Sequence, residues 1–439
     1  MSERIPNGET PSGGVPPARG VTATPILVAM VAGAVIGWLL GPTGQVLGLN
    51  LLPVFDFLGT IFINMLKMVV VPLISASIIT GVAALGSGRD LGRLGIKTLA
   101  FYVFTTLLAV LTALVIVNIV KPGIVNGEPA KALLALEAGA DSVTATVKEH
   151  TSTGVLETLL SAVPANILAA AAGNKLLGVM FFSILFGFFL ARIEMPYRQV
   201  VADFWQGLFR VMMRITQFVM SLAPIGVFGL TARVIAKSGV NAAGPILTFG
   251  ACVAVGIVLY ALIVIPLLMR VMGVAHPYRL FSAMSPALVT AFSTASSAAT
   301  LPLSLECLEK RAGVSDRIAS FVMPLGTSIN HVGSALYECA GAMFLCQAYG
   351  LHLTFGAQFT VVVLALITSM GIAGIPAASL VAIAVILAAV GLPPEGVGVL
   401  LVLDRILDMA RSSLTVFADA ACSVIVARLE GEEGVLPKL

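Results

Sequence analysis

The sequence predicts an all-α polytopic membrane protein, and three observations carry that expectation. Of the 439 residues, 58% are hydrophobic and only 11% are charged, against about 25% charged in an ordinary soluble domain. Apolar blocks recur from residue 21 onward, several longer than the ~20 residues that a bilayer requires. Near the C-terminus an apolar stretch carries Asp404, Asp408, Arg411, Thr415 and Asp419. At about 100° per residue these five share an arc of roughly 80° on one helix face. A charge at bilayer depth costs about 2.5–3.5 kcal/mol on insertion scales, so several on one face should line a site or a pathway.

In chain order, residues 1–20 are polar and rich in Gly and Pro and read as a disordered cytoplasmic tail. The apolar run that follows is read as a first transmembrane helix, not a signal peptide, because many similar runs come after it. Further apolar blocks cover 48–86, 95–120, 154–193, 198–234 and 242–272. Those well above ~20 residues must tilt, kink or protrude. Arg89, Arg93 and Lys97 cluster between the second and third blocks, Arg192 and Arg198 flank a later connection, and Lys310, Arg311 and Arg317 mark another. The positive-inside bias then puts the N-terminus and an 87–97 loop in the cytoplasm, with Arg233 and Lys237 as an outside exception. The 121–153 segment, with Lys121, Glu128, Glu137, Asp141 and Glu149, is expected to be an outside loop. The net charge of +3 is small and scattered, which gives no reason to expect nucleic acid. Cys252, Cys307, Cys339, Cys346 and Cys422 form no CxxC or Cys/His pattern and read as buried thiols.

The last third of the chain is more broken. Two apolar segments are interrupted by small residues and proline: Ser293 to Pro302 and Gly371 to Ser379. Each precedes a segment with polar residues: Asn330, His331 and Ser334 after the first, the Asp/Arg face after the second. Paired broken segments in corresponding positions point to a transporter site built from an internal repeat. Re-entrant hairpins would supply exposed backbone N–H and C=O groups there, tolerated where protein or a water-filled cavity covers them.

These motifs resemble the glutamate/aspartate transporter family, the dicarboxylate and amino acid–cation symporters. The likeness runs over nearly the whole chain after residue 20. It is carried by Asn64 to Pro72 (NMLKMVVVP), Tyr102 with Thr105 and Thr106, Pro122-Gly123, Pro164-Ala165-Asn166, Phe181 to Gly187, and Ala223 to Gly226. The Ser-rich tip, Pro324 to Glu338, the Gly374-Ile375-Pro376 tip and Asp404 to Arg411 (DRILDMAR) complete it. The resemblance implies about eight transmembrane helices plus two re-entrant helical hairpins with inverted repeats, working as an elevator-type homotrimer. It assigns 21–94 to scaffold helices 1 and 2, 95–120 to transport-domain helix 3, and 121–153 to an extracellular loop. Residues 154–234 would be scaffold helices 4 and 5, 242–429 the rest of the transport domain, and 430–439 a cytoplasmic tail. The protein would be multi-pass in the cell membrane with both termini cytoplasmic, in contact with the lipid bilayer.

For the site, the resemblance implies that Arg411 binds the substrate's side-chain carboxylate, which a planar guanidinium holds bidentately and a lysine does not. The plainer alternative for Arg411 is a structural pair with Asp404 or Asp408. Asp408 would take the substrate ammonium, which favours amino acids over plain dicarboxylates. Ser296 and Ser297 would contact the α-carboxylate, or serve only close helix packing. Ser334 keeps the hydroxyl of the family's threonine, and Ile375, Ser412 and Thr415 complete the expected substrate shell. No cofactor is expected; the coupling ion is a proton or sodium.

Three departures bear on that ion. The family's span-seven motif Asn-Met-Asp-Gly-Thr is Asn330-His331-Val332-Gly333-Ser334 here. Sodium needs oxygen ligands, and Val332 supplies none from its side chain. The sodium site formed with Tyr102, Thr105, Thr106 and Asn330 is therefore expected to be degenerate. Thr415 stands where sodium-coupled relatives carry Asn. Ala295 stands where archaeal relatives place Arg, and Met409 does not restore it. Asp419 with Asn330 still offers a residual site. Glu338 is an acid where sodium-only archaeal relatives carry Gln, and a carboxyl in an apolar setting can hold a proton. His331 adds a second titratable group; the alternatives are a paired buried acid and a polar filler.

Two other classes fare worse. An intramembrane aspartyl protease would need Asp408 and Asp419 to share a proton, yet 11 residues on one helix place them ~16 Å apart along the axis. An ion channel can also use broken helices, but it needs no Asp/Arg pair matched to a zwitterion. The expected function is a secondary transporter of acidic amino acids such as aspartate and glutamate, not an enzyme. Its sodium coupling is weakened or lost and proton coupling is the candidate replacement; the alternative keeps sodium at Asp419.

Overall fold

The computed structural model describes residues 23–41, 45–46, 49–84, 89–134, 136, 163–173, 176–238, 243–351, 353–371, 378–432 and 434–436. The expected tail 1–20, residues 137–153 of the expected outer loop, and Ile375 at the second tip fall outside these. Helices dominate, as expected. Two antiparallel ladders of two-residue strands are the departure from an all-α chain: Gln45–Val46 with Leu49–Asn50, and Ile124–Val125 with Glu128–Pro129.

Helix α1 (Ala23–Leu40) lies against α7 (Ala223–Ser238), and α2 (Leu52–Ala84) packs on α5 (Leu176–Leu190), α6 (Tyr197–Ser221) and α7. Gly33 and Gly37 form a GxxxG face that brings α1 close to α7. A Cβ at Gly37 would lie 2.4 Å from the Ala232 carbonyl oxygen, so small residues set this approach. Arg233 on α7, the outside exception in the charge pattern, is ion-paired to Asp56 on α2 at 2.5 Å.

One expectation for this half needs correction, and two long blocks are broken, in keeping with their length. Helix α3 begins at Arg89 and runs to Val120, so Arg89, Arg93 and Lys97 lie on its first turns and not in an 87–97 loop; the helix protrudes beyond its apolar part. The 154–193 block is not one span: α4 is Ile167–Ala172 and α5 starts at Leu176. Asn166 starts α4 afresh, its side-chain oxygen accepting from the Leu168 and Ala169 N–H groups at 2.9 and 3.1 Å, a typical N-cap. The 198–234 block breaks at Leu222 into two helices bent by 51°. Pro224 has no N–H and would clash inside a continuous helix, but fits the first turn of α7.

The remaining helices surround the C-terminal one. The span Ala243–Val271 comprises α8 (Ala243–Leu259), a π-helical turn at Tyr260–Val264, and α9 (Ile265–Val271). A first helical hairpin follows, α10 (Arg279–Thr294) and α11 (Ser297–Cys307), turning at Ala295, whose φ is 50°. Then come α12 (Asp316–Ile329) and α13 (Val332–Ala348). A second pair, α14 (Phe355–Gly371) and α15 (Ala378–Ala389), precedes α16 (Leu401–Leu429). Helix α16 packs on α8, α10, α12 and α13, while α13 packs on α3, α14 and α15. Among the described residues, three helices are long and apolar enough to cross a membrane: Leu94–Val120, Ala243–Val271 and Leu401–Leu429. The bent pair Tyr197–Val219 and Ala223–Arg233 is a further candidate.

Candidate functional site

The polar residues of α16 meet the break between α12 and α13. Asn330 and His331 leave helical geometry, with φ/ψ of −99°/81° and −98°/60°. Glycine permits the close contact on both sides of this break. A Cβ at Gly333 would lie 2.3 Å from the Arg411 carbonyl oxygen, and one at Gly326 would lie 2.5 Å from the Asp419 carboxyl carbon. Thr415 accepts from the Gly333 N–H at 3.2 Å, which satisfies a donor at the start of α13.

The five-residue face is buried throughout. Arg411 Nη2 donates to Asp404 Oδ1 at 2.9 Å and to Asp408 Oδ1 at 3.0 Å. Both carboxylates therefore pair with Arg411, as the plainer alternative held. That pairing does not use the whole guanidinium. Arg411 is 1% exposed, and its Nε and Nη1 are buried with no hydrogen-bond partner. Asp408 Oδ2 likewise accepts no hydrogen bond and lies 3.7 Å from Arg405 Nη1. Buried charged donors and acceptors are costly to leave unsatisfied, so this cluster is built to take further polar groups. Two arginines and two aspartates balance, leaving the cluster neutral by formal charge.

Two contributors were missed by sequence reading. The Tyr337 ring lies under Arg411, 3.9 Å from the guanidinium carbon, a cation–π contact that orients the fork. Arg405 supplies the second cation at Asp408. Both were visible as an aromatic and a base beside assigned acids, at Glu338 and Asp404, but helical spacing alone did not aim them inward.

The residues of the expected degenerate sodium site do come together. Thr106 donates to Asn330 Oδ1 at 3.0 Å, and Asn330 Nδ2 donates to Asp419 Oδ1 at 2.7 Å. Asp419 is fully buried and its Oδ2 has no hydrogen-bond partner. Tyr102 instead donates to the Val322 carbonyl at 2.6 Å, and the Thr105 carbonyl accepts from Tyr260 at 2.6 Å. Val332 is fully buried and apolar. Thr106, Asn330 and Asp419 thus form a connected polar chain, and the Val332 side chain, two residues from Asn330, offers no oxygen.

Glu338 and His331 face the second helical pair. Thr368 on α14 donates to Glu338 Oε2 at 2.6 Å, and the Ser379 hydroxyl on α15 lies beside the same carboxyl. Glu338 is fully buried. Its side chain therefore joins both arms of that pair. His331 is 4% exposed, neither ring nitrogen makes a hydrogen bond of good geometry, and the Ser369 main chain is the polar group beside it.

On the first hairpin, Ser296 is the N-cap of α11, its hydroxyl accepting from the Ala299 N–H at 3.2 Å. Ser297 is buried, and Ser334 and Ser412 are half-buried on α13 and α16. Ser413, next to Ser412, donates to the Leu288 carbonyl of α10 at 3.1 Å, tying the hairpin to the polar helix.

Comparison with known proteins gives consistent matches. A family model described as the sodium:dicarboxylate symporter family matches residues 23–429. The chain is 34% identical to a proton/glutamate-aspartate symporter of Escherichia coli (strain K12), over 92% of both chains. It is 32% identical to a proton/sodium-glutamate symport protein of Bacillus subtilis (strain 168), over 93% of this chain and 92% of the relative. It is also 32% identical to excitatory amino acid transporter 3 of Oryctolagus cuniculus, over 93% of this chain and 85% of the relative.

Proposed function

The chain belongs to the sodium:dicarboxylate symporter family, whose members are membrane transporters and not enzymes, and from that premise we propose that it is a symporter of acidic amino acids. One observation carries the reading: a buried, neutral Asp404/Arg405/Asp408/Arg411 cluster with unpartnered guanidinium nitrogens at Arg411 and an unpartnered oxygen at Asp408. Arg411 Nη1, the unpartnered end of the guanidinium, would donate to the side-chain carboxylate of aspartate or glutamate. Asp408 Oδ2 would take the ammonium, a partner that a plain dicarboxylate lacks. Ser296, Ser297, Ser334, Ile375, Ser412 and Thr415 would surround the remainder.

Charge balance then calls for a co-transported cation. An acidic amino acid brings one net negative charge to a neutral cluster, and a net charge at bilayer depth is costly. Glu338 is the proposed proton carrier, because it is fully buried and its hydrogen-bond partner is the Thr368 hydroxyl, while Arg411, the cation within electrostatic reach, is already paired with Asp404 and Asp408. A sodium-coupled reading is supported by one specific feature, the unpartnered Asp419 Oδ2 beside Asn330 and Thr106.

The transport cycle proposed is an elevator within a homotrimer in the cell membrane, with both termini cytoplasmic. The packing of α1 on α7 and of α2 on α5, α6 and α7, denser than their contacts with the group around α16, supports a scaffold and a moving unit. Eight spans and two re-entrant hairpins fit the helix order. Labelled aspartate uptake into proteoliposomes tests the reading. Uptake should saturate, should be competed by glutamate, and should resist succinate. Non-saturating flux would indicate a channel, and equal competition by succinate would remove Asp408 from the ammonium role.

A further inference from the structure

We infer that the end of the Ala243–Val271 span carries a binding site for the headgroup of an anionic phospholipid, separate from the buried polar cluster. A cavity of about 490 Å³ lies there, lined by Ile263, Pro266, Leu267, Arg270, His276 and Arg279 among others, and the described residues of its lining include no acidic side chain.

The local sequence builds this cavity. Pro266 has no N–H, so the carbonyl four residues earlier, at Leu262, loses its helical donor. The Tyr278 hydroxyl donates to that carbonyl at 3.0 Å, which ties the segment before α10 back onto the span. The π-helical turn at Tyr260–Val264 adjoins the same point, a distortion often kept for function. Arg270 Nη1 donates to the Ala275 carbonyl at 2.5 Å, fixing the turn that forms the other wall. The cavity is therefore held by two side-chain bonds across a helix distortion.

Its chemistry fits a phospholipid at the membrane boundary. Ile263, Leu267 and Val271, spaced every fourth residue, are 58%, 61% and 72% exposed and form an apolar stripe leading along the span toward the cavity. The basic groups sit at the end of that stripe: Arg270 on the span's last turn, His276 in the turn, and Arg279 at the start of α10. Tyr278, an interfacial residue type, is 61% exposed beside them. Acyl chains would follow the stripe and the phosphate would meet the arginines, the arrangement by which basic pockets at span ends select anionic lipid. A free phosphate would share the arginines but gain nothing from Ile263 or Leu267, so the lipid is the occupant assigned.

The test is native mass spectrometry of the purified full-length protein with dioleoyl phosphatidylglycerol and, separately, dioleoyl phosphatidylcholine. Phosphatidylglycerol should bind at least about fivefold tighter, and each of Arg270→Gln and Arg279→Gln should remove most of that preference. Because Arg270 also holds the Ala275 carbonyl, Leu267→Trp is the companion variant. It fills the apolar wall without touching that bond, and should weaken retention of phosphatidylglycerol while leaving the melting temperature unchanged. Equal retention of the two lipids, unchanged selectivity in Arg279→Gln and Leu267→Trp, or displacement of phosphatidylglycerol by millimolar inorganic phosphate would each overturn the assignment.

Discussion

Replacing Arg411 with lysine separates charge from the donor fork that the site presents. Lysine keeps a positive group for Asp404 and Asp408, which Arg411 holds through Nη2 alone at 2.9 and 3.0 Å. It cannot supply the further N–H groups of Nη1, which is buried and unpartnered. The charge-assisted hydrogen bond from Nη1 to the substrate carboxylate contributes about 1.5–3 kcal/mol, which the substitution removes from binding. At about 1.4 kcal/mol per tenfold, that is a loss of roughly 10–10² in aspartate affinity. The assay is equilibrium binding of labelled aspartate to the purified protein, with serine affinity measured by competition and the melting temperature as the folding control. Serine has no side-chain carboxylate, so its affinity should change by less than about threefold, a difference well below one charge-assisted bond. A loss below tenfold for aspartate, or a parallel loss for serine, would refute the placement of the side-chain carboxylate at Arg411.

Three further outcomes are expected. Glu338→Gln keeps an acceptor for Thr368 but cannot release a proton, so uptake should persist under exchange conditions and lose its response to an imposed proton gradient; a retained response would exclude Glu338 as carrier. Val332→Asp adds a carboxylate two residues from Asn330 at a fully buried position. The added buried charge should lower the melting temperature in choline, and sodium should recover it; equal melting in both salts would mean that no cation enters there. Gly333→Ala sets a Cβ 2.3 Å from the Arg411 carbonyl oxygen, a clash of backbone against backbone that side chains cannot relieve. It should cost about 1–3 kcal/mol or more, read as a lower melting temperature, and full stability would show that α13 and α16 can separate freely.

The polar helix was the most legible part of the molecule. Asp404, Asp408, Arg411, Thr415 and Asp419 stood out because their spacing put them on one face of an otherwise apolar segment, and all five are buried there. The family was legible for the same reason, since its motifs are short polar signatures in hydrocarbon. Helix ends were less so. Hydropathy marks where a chain is apolar, not where its backbone bonds stop, so α3 extends back to Arg89 while the 198–234 block breaks at Leu222 before Pro224. Partners across the fold were hidden altogether. Tyr337 under Arg411, Arg405 at Asp408, and Thr368 and Ser379 around Glu338 depend on how helices rotate against one another, which a single chain's periodicity does not specify.

In the proposed cycle a neutral charge cluster accepts an acidic amino acid only with a compensating cation, which Glu338 carries as a proton. The direct measurement is labelled aspartate uptake into proteoliposomes with proton and sodium gradients imposed one at a time. Proton coupling at Glu338 predicts accumulation under an inward proton gradient without sodium, lost in Glu338→Gln. Accumulation that requires sodium, and is indifferent to the proton gradient, would contradict it and move the cation to Asp419.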